Sequence, residues 1–226
     1  MRMRWHDLLF MHYTVDADAV QKLLPRRLQV DEFDGKAWIG IVPFRMSDVA
    51  PKFVPALPWL SAFPELNVRT YVTIDGKPGV WFFSLDATNP VAVRVARQFF
   101  HLKYMDARIR DEWKDGWYHY DSQRTHRNEP EANLKARYRP TGEPFVAEAG
   151  SLEYWLTARY CLYAATPGGK LLRGEIDHPP WPLQRAEAVV ETNTMTNGLD
   201  MPIEGQVPHL LFSRDIAVKA WLNEVV

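Results

Sequence analysis

The sequence predicts a mainly β fold, α+β by helix content, in which the strands close on themselves or pack as two sheets. Three observations carry this. About ten or eleven segments have strand character by alternation and β-branched or aromatic content. Asp-Gly pairs, the strongest short hairpin signal, stand at Asp34-Gly35, Asp75-Gly76 and Asp115-Gly116. Helical periodicity is confined to three short stretches. An open sheet of so many strands would leave long unpaired edges, so closure or two packed layers is expected. No repeat and no linker divides the chain, which reads as a single domain over residues 1–226.

In chain order, residues 7–15 (DLLFMHYTV) form a first strand. Asp16 caps a helix, ADAVQKLL, that Pro25 ends. LQVDEF at 28–33 is a second strand. KAWIGIVPFRM is a third, apolar on both faces and so expected to be central and covered on both sides. Residues 50–64 carry four prolines among large apolar side chains, which keeps them out of a central sheet. This segment reads as a lid, an oligomer contact or an irregular piece packed on the body. Asn89-Pro90 opens a helix to about Leu102, with Val91, Val95, Phe99 and Leu102 as its apolar stripe. Arg94, Arg97 and His101 share another stripe, as a solvated face or an anion site. Strands follow at 103–113 and 116–126, the second placing Tyr118, Tyr120, Ser122 and Arg124 on one face. LKARYRP is a strand and LEYWLTA a helix started at Gly150-Ser151. RYCLYAA, KLLRGEI, RAEAVVETNTM and the tail at 206–221 return to strands.

The organising stretch is residues 63–87, a hairpin about the turn DGKP. Glu65, Asn67, Arg69 and Tyr71 share one face, and Leu66, Val68, Thr70, Val72 and Ile74 the other. Glu65 and Arg69 stand roughly 13 Å apart along the strand, too far to pair. An even loop would set Phe82, Ser84 and Asp86 on the face of Arg69, which would then look across to Ser84 or Asp86; an odd loop would substitute Trp81, Phe83 and Leu85. The polar face is either a solvated surface or the floor of a pocket.

Composition narrows the function. The 226 residues are 46% hydrophobic and 13% aromatic, enough for a well-packed core. A formal net charge of −1 shows no electrostatic footprint for nucleic acid. The single Cys161 forbids an internal disulfide and fits a reducing compartment. No secretory signal and no apolar run of bilayer length is visible, so a soluble cytoplasmic protein without membrane partners is expected. The aromatic 50–64 segment makes a homo-oligomer plausible.

No zinc spacing links the seven histidines, and glycine-rich phosphate loops and a GxSxG elbow are absent. No metal and no cofactor is therefore expected. Arginines and carboxylates on strands remain: Glu65, Arg69, Asp86, Arg124 and Arg159, with His178 held in IDHPPWPL. Such a network binds a small carboxylate ligand or staples strands.

The motifs FPELNVRTYV, GVWFFSLDA, YDSQR, GSLEYWLTARY and IDHPPWPL, with the leading residues 5–46, resemble the YqjF-like family of uncharacterised bacterial proteins. The resemblance runs over nearly the whole chain. That family sits in the acetoacetate-decarboxylase-like superfamily, which implies a closed, cone-shaped antiparallel β-barrel with a few peripheral helices. The superfamily's best-known enzyme forms a Schiff base between a lysine and a β-keto acid, and the lysine must be neutral to react. The matching stretch here is His101-Leu102-Lys103-Tyr104-Met105. Lys103 falls on the proline of the enzyme's Pro-Lys-Lys, and Tyr104 and Met105 fall on its lysines. One residue in a strand is the opposite face, so either a bulge restores Lys103 or the Schiff-base lysine is gone. Glu65 resembles an acidic pocket residue.

These readings lead to a pocket for a small organic acid or carbonyl compound, lined by Glu65, Asn67, Arg69, Tyr71, Tyr104, Arg124, Arg159 and His178. The alternatives are a decarboxylase-, aldolase- or dehydratase-type lyase with Lys103 and Glu65 as catalytic residues, and a structural protein with arginine staples.

Overall fold

The computed structural model describes residues 1–50 and 61–226. The first half runs β1 (Arg2–Val15), α1 (Ala17–Leu23), β2 (Gln29–Val30), β3 (Ala37–Ala50), β4 (Phe63–Ile74) and β5 (Lys77–Ala87). Then come α2 (Pro90–Phe100), β6 (Tyr104–Lys114), β7 (Trp117–Arg124), β8 (Asn133–Phe145) and α3 (Leu152–Thr157). The chain finishes with β9 (Cys161–Ala165), β10 (Leu171–Asp177), β11 (Leu183–Asn193), a 3-10 turn at Asn197–Leu199, β12 (His209–Ala220) and β13 (Glu224–Val225). The protein is mostly β, and the helices α1, α2 and α3 fall where the sequence predicts them.

Thirteen strands are present among the described residues, more than the ten or eleven expected. The expected second strand at 28–33 shrinks to Gln29–Val30, and β13 is a two-residue pairing too short to carry a periodicity. The central strand is the expected one: Ala37 through Phe44 of β3 is buried without a break. The helix stripe needs correction. Val91 is 47% exposed and Val93 is fully buried, so α2 docks on a face that includes Val93 instead. The side chains of Val95 and Phe99, like residues 51–60 of the proline-rich segment, lie outside the described residues. Arg94 and Arg97 are no free anion site: Arg94 pairs with Asp106, and Arg97 donates to the Tyr104 carbonyl, tying α2 to β6.

All the described strands join one sheet, in the order β13-β10-β9-β5-β6-β7-β8-β11-β12-β1-β3-β4-β2, with β4–β5 and β10–β12 as further pairings. The β5–β6 and β5–β9 pairings are parallel, which corrects the antiparallel expectation, because the α2 crossover returns the chain to β6 in the direction of β5. The largest apolar cluster takes Leu9, Ile41, Val68, Phe83, Ile109, Tyr120, Ala136 and Phe212 from successive strands. Two smaller clusters lie on the opposite face of β1, β3 and β4, one around Phe10, Phe44 and Trp181 and one around Trp38, Tyr71 and Leu156. Both faces of β4 are thus buried, which removes the solvated-surface reading of the hairpin. No helix among the described residues is long and apolar enough to cross a membrane.

Candidate ligand-binding site

The hairpin turn is the two-residue loop Asp75-Gly76, both residues at positive φ, with Ile74 opposite Lys77. Asp75-Gly76 suits this loop because glycine and aspartate enter the left-handed region at little cost. An even loop places Phe82 opposite Arg69, as expected. The register then shifts by one residue: Val68 pairs with Ser84 and Leu66 with Asp86. Phe83 is the extra residue of a β-bulge, which turns Ser84 and Asp86 to the side opposite Arg69. The expectation that Arg69 meets Ser84 or Asp86 is therefore wrong. Arg124 takes both: its Nε and Nη2 donate to Asp86 at 3.0 and 2.9 Å, and Nη2 donates to Ser84 Oγ at 2.8 Å.

Arg69 lies across the strands from Gly40, and Gly40 from His12, so the three share one face. Gly40 gives the ring room there, since a Cβ would stand 3.0 Å from the His12 ring. His12 Nε2 and the Tyr71 hydroxyl are 2.6 Å apart, and Arg69 Nη2 donates to the Tyr71 oxygen at 3.4 Å. The second weak bond of Arg69 goes to the Leu156 carbonyl at 3.5 Å, and its guanidinium stands 5.3 Å over the Phe10 ring. Arg69 is 8% exposed and forms no ion pair among the described residues. The remaining stretch, PKFVPALPWL at 51–60, contains no carboxylate side chain that could neutralise it.

Further along the same face, Tyr104 Oη donates to Glu65 Oε2 at 2.8 Å. Burial dominates the Glu65 carboxyl and raises its pKa to about 8, against hydrogen bonds from Tyr104 and Asn67 that favour the charged form. Glu65 is therefore mostly protonated at neutral pH. Burial, then the charge of Arg69, holds His12 well below the usual histidine range. With Glu65 and His12 both neutral, Arg69 keeps an uncompensated positive charge. Asn67 Oδ1, Arg69 Nε and His12 Nδ1 are buried with no hydrogen-bond partner among the described residues.

The other expected residues are distributed around this row. Arg159 stacks over Trp155 at 4.3 Å and Tyr71 at 4.9 Å, and donates to Asp31 at 2.5 Å. It walls the Tyr71 end, with its charge already matched. His178 stacks on Tyr160 and lies 3.3 Å from the Arg159 carbonyl through Nε2, one step further out. Arg124 sits across the bulge with Asp86. Lys103 is exposed, with Nζ 5.8 Å from the Trp81 ring centre, while the next residue, Tyr104, reaches Glu65. The structure does not bring Lys103 and Glu65 together. His12 is the residue that sequence reasoning missed; a histidine interrupting an apolar strand and alternating with Phe10 was the available signal.

The model of a family of uncharacterized conserved proteins, DUF2071, matches residues 2–217. The chain belongs to the DUF2071 family. It is 44% identical over 218 residues to the uncharacterized protein YqjF of Bacillus subtilis (strain 168), covering 96% of this chain and 89% of that one. Among solved structures, the DUF2071 chain is similar to the enduracididine biosynthesis enzyme MppR with HEPES buffer bound. The TM-score is 0.70 at 12% identity, over 100% of this chain and 87% of that one. It is also similar to acetoacetate decarboxylase from Legionella pneumophila subsp. pneumophila str. Philadelphia 1, with TM-score 0.66 at 13% identity and the same coverage. At such identities the likeness concerns the fold, which is acetoacetate-decarboxylase-like.

Proposed function

We propose that this DUF2071 protein binds a small organic acid or carbonyl compound on the polar face of β4, with Arg69 taking the acid group. The observation that carries this is an arginine nine-tenths buried with no carboxylate to neutralise it. Burying a lone charge costs several kcal/mol on the order of magnitude known for proteins, unless a counter-charge is supplied. Every other deeply buried arginine of the expected set has one: Asp86 for Arg124 and Asp31 for Arg159. A ligand carboxylate would complete Arg69. Asn67, Tyr104 and protonated Glu65 would offer hydrogen bonds to the rest of the molecule. The fold reading extends to a closed, cone-shaped barrel, supported by a path of pairings that runs from β1 through β3, β4, β5, β6, β7, β8, β11 and β12 back to β1.

A thermal-shift series with pyruvate and short-chain carboxylic acids tests the binding. Pyruvate is a reasoned first probe, because MppR, a fold neighbour with TM-score 0.64, has been solved with it. A ligand at a hundred times its Kd stabilises the folded state by about 2.7 kcal/mol. That stabilisation is expected in the unaltered protein and absent in Arg69→Met. A shift that survives Arg69→Met unchanged removes Arg69 from the site. No shift with any acid would leave Arg69 as a strand staple.

A further inference from the structure

A cleft of about 720 Å³ opens along residues 81–84 of β5, where the end of α1, the end of α2, β9 and the β7–β8 loop meet. It contains none of Glu65, Asn67, Arg69 or Tyr71. Its volume is in the range of small-molecule sites. The bulge at Phe83 shapes it, since Trp81, Phe83 and Ser84 all reach its wall, joined by Met105 and Tyr163. The charges around this apolar wall are unequally committed. The guanidinium of Arg124 is held by Asp86. Lys103 makes no ion pair among the described residues, and its ammonium rests against the Trp81 indole. Arg97, which also lines the cleft, is engaged by the Tyr104 carbonyl and His126, and Glu129 and Glu131 add negative charge to the lining.

We propose that this cleft is a second binding site, for a flat aromatic monocarboxylate whose ring lies against the Trp81 wall and whose carboxylate pairs with Lys103. The inference stands on the cleft and does not depend on the Arg69 reading. The aromatic wall supplies contact area at low entropic cost, and the ammonium exchanges an indole face for a stronger charge-assisted partner.

Calorimetric titration with 2-naphthoate tests it, with 2-naphthalenemethanol as the uncharged analogue. Saturable naphthoate binding is expected, with the alcohol weaker by about tenfold or more. Lys103→Met should weaken naphthoate to the level of the alcohol, while Lys103→Arg retains it. Arg69→Met should leave naphthoate binding unchanged, which separates this site from the β4 face. The proposal is overturned if naphthoate does not saturate at millimolar concentration, if the alcohol binds as well, or if Arg69→Met rather than Lys103→Met abolishes binding. It is also overturned if borohydride with pyruvate traps an adduct on Lys103, which would make the cleft a Schiff-base site.

Discussion

Two arginines, Arg124 and Arg69, are buried on opposite sides of the same hairpin and are matched in opposite ways. Arg124 meets Asp86 through two hydrogen bonds and Ser84 through a third, and Asp86 is fully buried beneath it. Among the described residues Arg69 has a phenol, a carbonyl and two aromatic faces. A satisfied ion pair holds two strands together. A solitary buried guanidinium is a place where a ligand can contribute what the protein does not. The bulge at Phe83 makes this division, because it hands Ser84 and Asp86 to Arg124 and withholds them from Arg69.

The largest effect is expected at Arg124. Arg124→Ala leaves Asp86 buried and alone, and should cost about 3 to 5 kcal/mol in urea unfolding. Replacing both partners with leucine should recover much of that loss. If Arg124→Ala costs no more than a surface change, the two arginines are not different in kind.

The next effect is in pH. Glu65 takes up a proton on folding, since its carboxyl moves from an ordinary 4.5 to about 8. Its contribution to stability is complete below pH 4.5 and is lost as pH rises toward about 8. His12 has the opposite sign. It is neutral when folded and protonates when unfolded near 6.5, so its contribution is lost as pH falls through that value. The two oppose each other between about pH 4.5 and 6.5, and Glu65 acts alone above. From pH 6.5 to 8 this carboxyl should cost about 2 kcal/mol, at about 1.4 kcal/mol per pH unit. Glu65→Gln should remove that decline while keeping the Tyr104 contact. An unchanged slope in Glu65→Gln would show that Glu65 is charged in the folded protein.

Gly40→Ala sharpens the unmatched side. Its methyl group meets the His12 ring at 3.0 Å, so the row of His12, Gly40 and Arg69 must spread. A loss of about 1 to 2 kcal/mol is expected, at the low end for overpacking because a side chain rather than backbone must yield. The smallest effect belongs to Arg69→Met, within about 1 kcal/mol of the unaltered protein. The lost stacking offsets the relief of an unmatched buried charge. A loss as large as that of Arg124→Ala would mean that Arg69 is matched after all.

Much of this was legible in the residues. The Asp75-Gly76 turn, the doubly apolar β3 and the alternation of Tyr118, Tyr120 and Ser122 all follow from local rules. Glu65, Asn67 and Arg69 do share a face, and that face is buried. The partners were not legible. A bulge changes the face of every residue beyond it, and nothing in VWFFSLDA marks Phe83 as the residue to be skipped. His12 escaped notice because its neighbours on β3 and β4 are about 28 and 57 residues away in sequence, and only pairing makes them adjacent.

The strand-rich class, the hairpin and the polar face of β4 follow from the amino-acid sequence, since each depends on side-chain period or on residues close in the chain, and the family follows from the likeness of motifs spread along it. Tertiary structure alone decided which arginine receives Asp86, on which side Lys103 stands and where the cleft opens. Those outcomes rest on one unpaired residue in β5 and on contacts between distant strands. Their energies are set by burial and charge matching, which local sequence does not contain.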